Sequence, residues 1–401
     1  MRSLNYYLIG TGSWFLAFGM QAVLFAWLVT MVLQESAERV GVAQMALLLP
    51  GTIFILIGGS FADRYGGRRV AVCSQLLATL APLFLLAALF MDALSYGVML
   101  GYAVLLGTAQ AFVTPSRDGL LNVVAAGRVQ RTVMLASVAQ FGMQIMGALL
   151  AALADLGGPI PILIAQAVVL LIGALALSRV QVPPQVATVQ RQSIVGSVIE
   201  GARTVMRAAP LRIIVIQNIA MALSFMGSFI VISPLIVREV FAGTASDLSW
   251  VNATNAAGLV VTVLLLLRFG GIKAQGRALI LSQVLGSLVL AAAAVMQTYW
   301  SFVGVMFIWG ICGGVAMTMS RSIMQEQAPE AMRGRVMSFY GLSFMGAGPL
   351  GALLCGYLAE LLGPQLAMQC AAALMLSVAL LVAFSSGLWR VHSVEHVADP
   401  V

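Results

Sequence analysis

The residues of this chain that could do chemistry are few, and they do not form the set of an enzyme. Between two apolar stretches stands Asp63-Arg64-Tyr65-Gly66-Gly67-Arg68-Arg69. A carboxylate followed at short range by guanidinium groups can exchange ion pairs, and it can also pair with the positive N-terminal end of another helix. Arg117 and Asp118 bring a second base and acid together at the end of another apolar stretch. Groups of this kind latch and release segments. No nucleophile with its base, no Walker loop and no metal-ligand spacing accompanies them, so neither catalysis nor a cofactor is expected. Cys73, Cys312, Cys355 and Cys370 stand singly in or beside apolar runs, as packing residues do. His392 and His396 fall in a polar tail.

A second set of polar residues lies within the apolar runs. Trp14, Phe18, Gln21 and Phe25 share one face of a helix, and Asn218, Ala222, Phe225 and Phe229 repeat that spacing further along. Gln140 and Gln144 are one turn apart, Asn252 and Asn255 share a face, and Gln217 neighbours Asn218. Together they could line an aromatic, amide-bearing cavity without fixed charge. Each has a plainer alternative, because an amide within a bilayer often bonds a neighbouring helix, for about 0.6 kcal/mol on average. Gly147, Gly346, Gly348 and Gly351 are small enough to let helices approach closely, and Pro349 is expected to bend its helix.

The elements that must position these residues follow from composition. Of the 401 residues, 61% are hydrophobic and 9% charged, and the mean hydropathy is +1.00. That much apolar surface cannot be hidden in a water-soluble fold, so the lipid bilayer is the expected solvent. Runs reaching the ~20 residues that a helix needs to cross the hydrocarbon core predict spans near 8–33, 41–62, 70–90, 95–116, 131–154 and 159–178. A second set is predicted near 212–237, 246–267, 277–297, 299–324, 335–359 and 365–388. The continuous runs do not resemble the short alternating strands of a barrel. The first is too long for a cleaved leader and is kept as a helix of the mature chain.

The polar, proline-bearing segment 179–210 divides the chain into a six-helix bundle over 1–178 and a second over 211–401 that includes the tail. With a cytoplasmic N-terminus, every one of the 21 Lys and Arg residues except Arg39 and Arg238 falls on the cytoplasmic side, while the acids divide evenly. The bias is carried by the basic residues, which predicts that both termini are cytoplasmic. The formal charge of +7 is therefore a topology signal, and no nucleic acid partner is expected.

The two halves share sequence at one constant spacing. Arg64, Gly66 and Gly67 return as Arg268, Gly270 and Gly271, Ser116-Arg117 as Ser320-Arg321, and Gly147-Ala148 as Gly351-Ala352. The repeat covers six helices, an even number, so both halves enter the membrane in the same direction.

The segment Gly59 to Arg69, with Asp63, Arg64, Gly66, Arg68 and Arg69 in place, resembles the loop signature of the major facilitator superfamily, with one extra glycine. The twelve expected helices in two parallel repeats resemble that superfamily over essentially the whole chain. Within it, Pro329 to Val336 and the run Gly346 to Gly351 resemble drug and siderophore exporters of the enterobactin and macrolide efflux type. The resemblance implies an all-α membrane protein of the major facilitator fold. It implies a secondary transporter that moves a small amphipathic molecule outward across a cell inner membrane by alternating access, as a monomer, with antiport against protons as the coupling option. The alternatives are an importer or facilitator of a neutral metabolite, a lipid flippase, and a non-transporting sensor.

By the same resemblance Asp63 latches the cytoplasmic side by docking near Arg333 to Met337. Arg117 is its candidate partner nearby, and Leu267 stands where Asp63 would recur, so only the first half can form this latch. No ionisable residue is expected in the middle of any span. Proton coupling would then run through interfacial groups such as Asp63 and Asp118, or be absent.

Overall fold

The computed structural model describes residues 2–125, 129–182, 194–269, 272–329 and 332–392; the side chains at 2, 55–60, 62–63, 122, 129–131, 133–134, 194–195 and 197–198 lie outside the description. In hydrocarbon a backbone must bond to itself, and the chain does so by forming long helices. The first half runs through Arg2–Trp27, Ala37–Tyr65, Gly67–Phe90, Tyr96–Ala125, Val129–Ala151 and Pro159–Ser178. The second half begins with a broken helix, Ala209–Met221 continued to Glu239, then Ala245–Arg268, Gln275–Ala293, Tyr299–Gln327, Arg333–Leu362 and Pro364–Ser385. Among the described residues 11 helical stretches are long and apolar enough to cross a membrane, and Ala37–Tyr65 fills the place of the second expected span. We number these twelve spans in chain order.

Turn chemistry explains where several spans stop. Gly66, at φ 89°, breaks the second span from the third, a backbone state that a side chain resists. Gly158 at φ 70° and Gly363 at φ 79° each precede a proline that opens the next helix, so the halves turn their last hairpins with the same Gly-Pro device.

The first and seventh spans both loosen into π turns, over Leu28–Val32 in one and over Ala222–Met226 and Ser228–Ile232 in the other. A hydroxyl accompanies the loosening in each. Thr30 Oγ1 donates to Ala26 O (2.6 Å) and Ser224 Oγ to Ala220 O (2.6 Å), competing with the helical ladder.

Two compact units emerge from the packing. The first comprises residues 1–191 with 227–253 and 348–364; the second comprises 192–226, 254–347 and 365–401. In the first unit the first span packs against the fifth and sixth, the second against the fourth, and the third against the fourth and sixth. The seam between first and fifth spans is set by glycine: a methyl added at Gly19 would strike Gln144 O, and one at Gly147 would strike Leu16 O. In the second unit the ninth span packs on the tenth, and a further helix, Ile194–Arg207, docks beside the seventh. Away from these seams leucines at 80, 83, 171, 281, 285 and 288 are exposed. Helices apolar on their outer face as well as their inner one belong in lipid.

Candidate functional site

In the first unit a narrow pocket of about 10 Å³, room for about one water, lies among Trp14, Ala17, Phe18 and Gln21 of the first span, Leu106 and Gln110 of the fourth, and Gln166 and Leu170 of the sixth. These residues sit near the middle of their helices. Gln166 is already engaged: its amide donates to Tyr102 Oη (3.3 Å) and Ala17 O (3.4 Å), and Tyr102 stacks on Phe25 with centroids 5.9 Å apart. Gln21 and Gln110 make no hydrogen bond to any described residue, so theirs are the amide groups this pocket offers. Gln110 was not singled out in the sequence; its place one face across from Gln21 depends on how the first and fourth spans cross, which no spacing records.

Phe25, by contrast, is buried in the stack with Tyr102 and does not line the pocket. Gln140 and Gln144 are half-buried on the fifth span. Gln144 contributes its backbone carbonyl to the crowded seam opposite Gly19.

In the second unit the equivalent amides are tied into helix packing. Gln217 Nε2 donates to Gln283 Oε1 (2.7 Å), and Gln283 Nε2 lies 3.4 Å from Met221 Sδ. Asn218 donates to Ser343 Oγ (3.2 Å) and accepts from Ser320 Oγ (2.9 Å). Phe225 meets Trp309 edge to face at 5.5 Å, and Asn255 donates to Met306 O (3.2 Å). Asn252, in the first unit, bonds only to Leu248 O in its own helix (2.9 Å).

The Gln217–Gln283 bond, between seventh and ninth spans, has a counterpart in the first half. There Gln75 Nε2 donates to Ser13 Oγ (3.0 Å) between third and first spans. A buried polar tie thus joins the same pair of spans in each half, with Ser13 where the other half has Gln217 and with Gln75 one turn before the position that matches Gln283.

At the loop after the second span, the side chain of Asp63 lies outside the described residues. Its neighbours are described. Arg68 Nη1 donates to Val180 O (3.0 Å), Arg64 lies over the Tyr65 ring (5.4 Å), and Arg69 is exposed. A Cβ at Gly67 would sit 3.3 Å from Ser116 O, so this loop lies against the turn that carries Arg117. Arg117 itself is 9% exposed, its guanidinium 4.5 Å from the Phe15 ring centroid. Nη2 is 3.7 Å from Asp118 Oδ1, and Nη1 is buried without a partner. Asp118 remains largely in the open. Arg117, expected at the end of the fourth span, thus holds its cation against an aromatic ring of the first span. Its position near a helix end does not reveal that the side chain reaches toward Phe15.

Pro349 lies inside the helix Arg333–Leu362, and Gly351 presents its carbonyl to Gly227 of the seventh span at a distance that admits no side chain. The pairing of Gly147 with Leu16 and of Gly351 with Gly227 is close approach at repeat-related positions. Gly346 and Gly348 lie on the same helix near the proline.

The transmembrane secretion effector family of the major facilitator superfamily matches residues 7–398. The chain belongs to that family. The multidrug efflux pump Tap of Mycolicibacterium fortuitum is 26% identical over 363 residues, covering 86% of each chain. Among solved structures, the nucleoside transporter NupG superposes with a TM-score of 0.71 at 16% identity, covering 98% of this chain and 100% of that one. A D-xylose–proton symporter superposes with a TM-score of 0.72 at 12% identity, covering 97% and 99%. At such identities these structures establish the fold. The protein is a multi-pass membrane transporter of small molecules, built on the expected all-α major facilitator fold.

Proposed function

We propose that this transporter exports a small amphipathic molecule by alternating access, with the two sequence halves rocking about the linker 179–210. The observation that carries the reading is the midspan pocket in which Trp14 and Phe18 stand beside the unengaged amides of Gln21 and Gln110. Rings supply apolar area and amides fix orientation, which is how neutral small-molecule sites are commonly composed. Likeness to an efflux pump over most of the chain supports the outward direction. The tied amides Gln217, Asn218 and Asn255 hold the second half together, and substrate contact rests on the first.

The loop Asp63 to Arg69 with Arg117 and Asp118 serves as the cytoplasmic latch. Gly67 against Ser116 brings the loop to the Arg117 turn, and Asp118 stands exposed where it can exchange a proton or a partner. Protons are the coupling ion of this reading, entering through these interfacial groups. The protein works as a monomer in a cell inner membrane with both termini cytoplasmic.

The experiment is dye and antibiotic efflux from cells expressing Trp14→Ala, Gln21→Leu or Gln110→Leu at matched membrane levels. The reading expects each to reduce efflux of some compounds by about threefold or more while sparing others, as loss of one contact does. Uniform efflux across all three variants would refute the pocket as the substrate site.

A further inference from the structure

Two charged residues on the side of the membrane opposite the basic loops have no part in the latch above, and one of them, Arg238, is an exception to the distribution of positive charge. Both reach from one sequence half to the other, and both lie with their partners in the first compact unit. Asp155 follows the fifth span, in the short turn Ala154–Gly157, at the N-terminus of the eighth-span helix Ala245–Arg268. It accepts hydrogen bonds from Ala245 N–H (3.0 Å), Ser246 N–H (2.8 Å) and the Thr244 hydroxyl (2.7 Å). Ser246 Oγ reaches back to Ala152 O (3.3 Å).

Arg238, near the end of the seventh span, donates from Nη1 to Thr30 O (3.0 Å) and Glu35 O (2.8 Å) where the first span unwinds. An acid from the first half thus satisfies the bare N–H groups that begin a second-half helix. A cation from the second half satisfies carbonyls at the end of a first-half helix.

We propose that Asp155 and Arg238 are the paired anchors of an external latch, holding the outer ends of the seventh and eighth spans to the first-half helices until the transporter opens outward. This rests on the alternating-access reading and on the cytoplasmic placement of the termini. The seam they guard is tight. Gly41 of the second span abuts Ala352 and Gly356 of the eleventh across the two sequence halves, and beside them Cys355, 1% exposed, packs on Gly227 of the seventh span within the second half. Parting first-half from second-half helices on this side must break both anchors, because each joins one half to the other. An arginine at this face, against the charge bias, is explained by the carbonyls it serves. One nitrogen, Nη1, serves both carbonyls, and the fork is completed by Nη2, which pairs with Glu239.

Cys355 is a natural reporter of the seam. With Cys73, Cys312 and Cys370 replaced by serine, its labelling by a membrane-impermeant maleimide is followed in whole cells and in inside-out vesicles. The background is otherwise natural, or carries Asp155→Asn, Arg238→Gln or both. Detergent-solubilised protein is checked for monodispersity by size exclusion. The latch predicts labelling from outside about threefold to tenfold faster in each single variant, and faster again in the double, as loss of charge-assisted hydrogen bonds from the closed state requires. Asp155→Ser, which keeps an acceptor at the helix start, should restore slow labelling in part. Unchanged labelling in monodisperse variants overturns the proposal, and so does acceleration seen only from inside-out vesicles. Labelling is read without any substrate, so a chain that exports nothing would sink the transport reading and leave this result standing.

Discussion

Gln217 and Gln283 form one hydrogen-bonded pair, and their substitution tests whether they are structural. Replacing either with leucine leaves the other amide buried without a partner, which should cost about 1–3 kcal/mol; replacing both should cost less than the sum. Thermal unfolding in detergent would show this as a coupling between the two sites, with the range of compounds exported unchanged. Additive losses, or altered compound range, would return Gln217 to the cavity. At Arg117 the expectation is different. Its guanidinium carbon lies 4.5 Å from the Phe15 ring centroid, so Arg117→Lys keeps the charge and replaces the planar, weakly hydrated cation at that ring. Transport should fall at least about tenfold with membrane insertion intact.

These residues mark what the sequence could reveal. The face shared by Trp14, Phe18 and Gln21 was legible because helical period alone places three side chains together. Whether Gln217 faces a cavity or Gln283 was not, because period says nothing about the helix across the seam. The inward reach of Arg117 was hidden for the same reason.

Among the elements, the fifth span offers a matched pair of glycines. Gly147→Val drives a side chain into Leu16 O and should strongly reduce the monodisperse fraction after solubilisation, as overpacking of a tight seam does. Gly142→Ala, five residues earlier, meets nothing within 4 Å and should be neutral. Equal behaviour of the two would mean that the first and fifth spans do not meet through Gly147. Span positions were readable because uninterrupted apolar length is what a bilayer demands. The helix Ile194–Arg207 within the polar linker was not expected. Its signal is the spacing of Ile194, Val198, Gly201 and Val205, and the structure seats Gly201 against Arg335 while Glu200 pairs with that arginine. Short apolar periodicity among arginines is easily read as loop. The π turns of the first and seventh spans left no trace in hydropathy, since they change backbone bonding and not composition.

Across the whole molecule, the repeat read from recurring Arg and Gly letters reappears in three physical devices. Gly-Pro turns close the last hairpin of each half, π turns loosen the first span of each, and a buried polar tie joins first to third and seventh to ninth. Loop letters were visible because topology fixes them; the polar ties were not, because different residues form them and Gln75 and Gln283 stand one turn apart in the repeat. The asymmetry matters more for function. The first half keeps free amides and the acid-base loop, whereas the second has its amides bonded and Leu267 in place of the acid. A transporter so divided should take its substrate contacts and its cytoplasmic latch from the first half.

The measurement that tests this most directly is accumulation of lipophilic dyes and antibiotics in inverted membrane vesicles under an imposed pH gradient, with the natural chain and with Asp63→Asn. Gradient-driven accumulation by the natural chain, reduced to background in the variant at equal expression, is the result expected of a proton-coupled exporter latched through Asp63. Accumulation that is unaffected by Asp63→Asn, or the absence of accumulation for every compound with the natural chain, would contradict it.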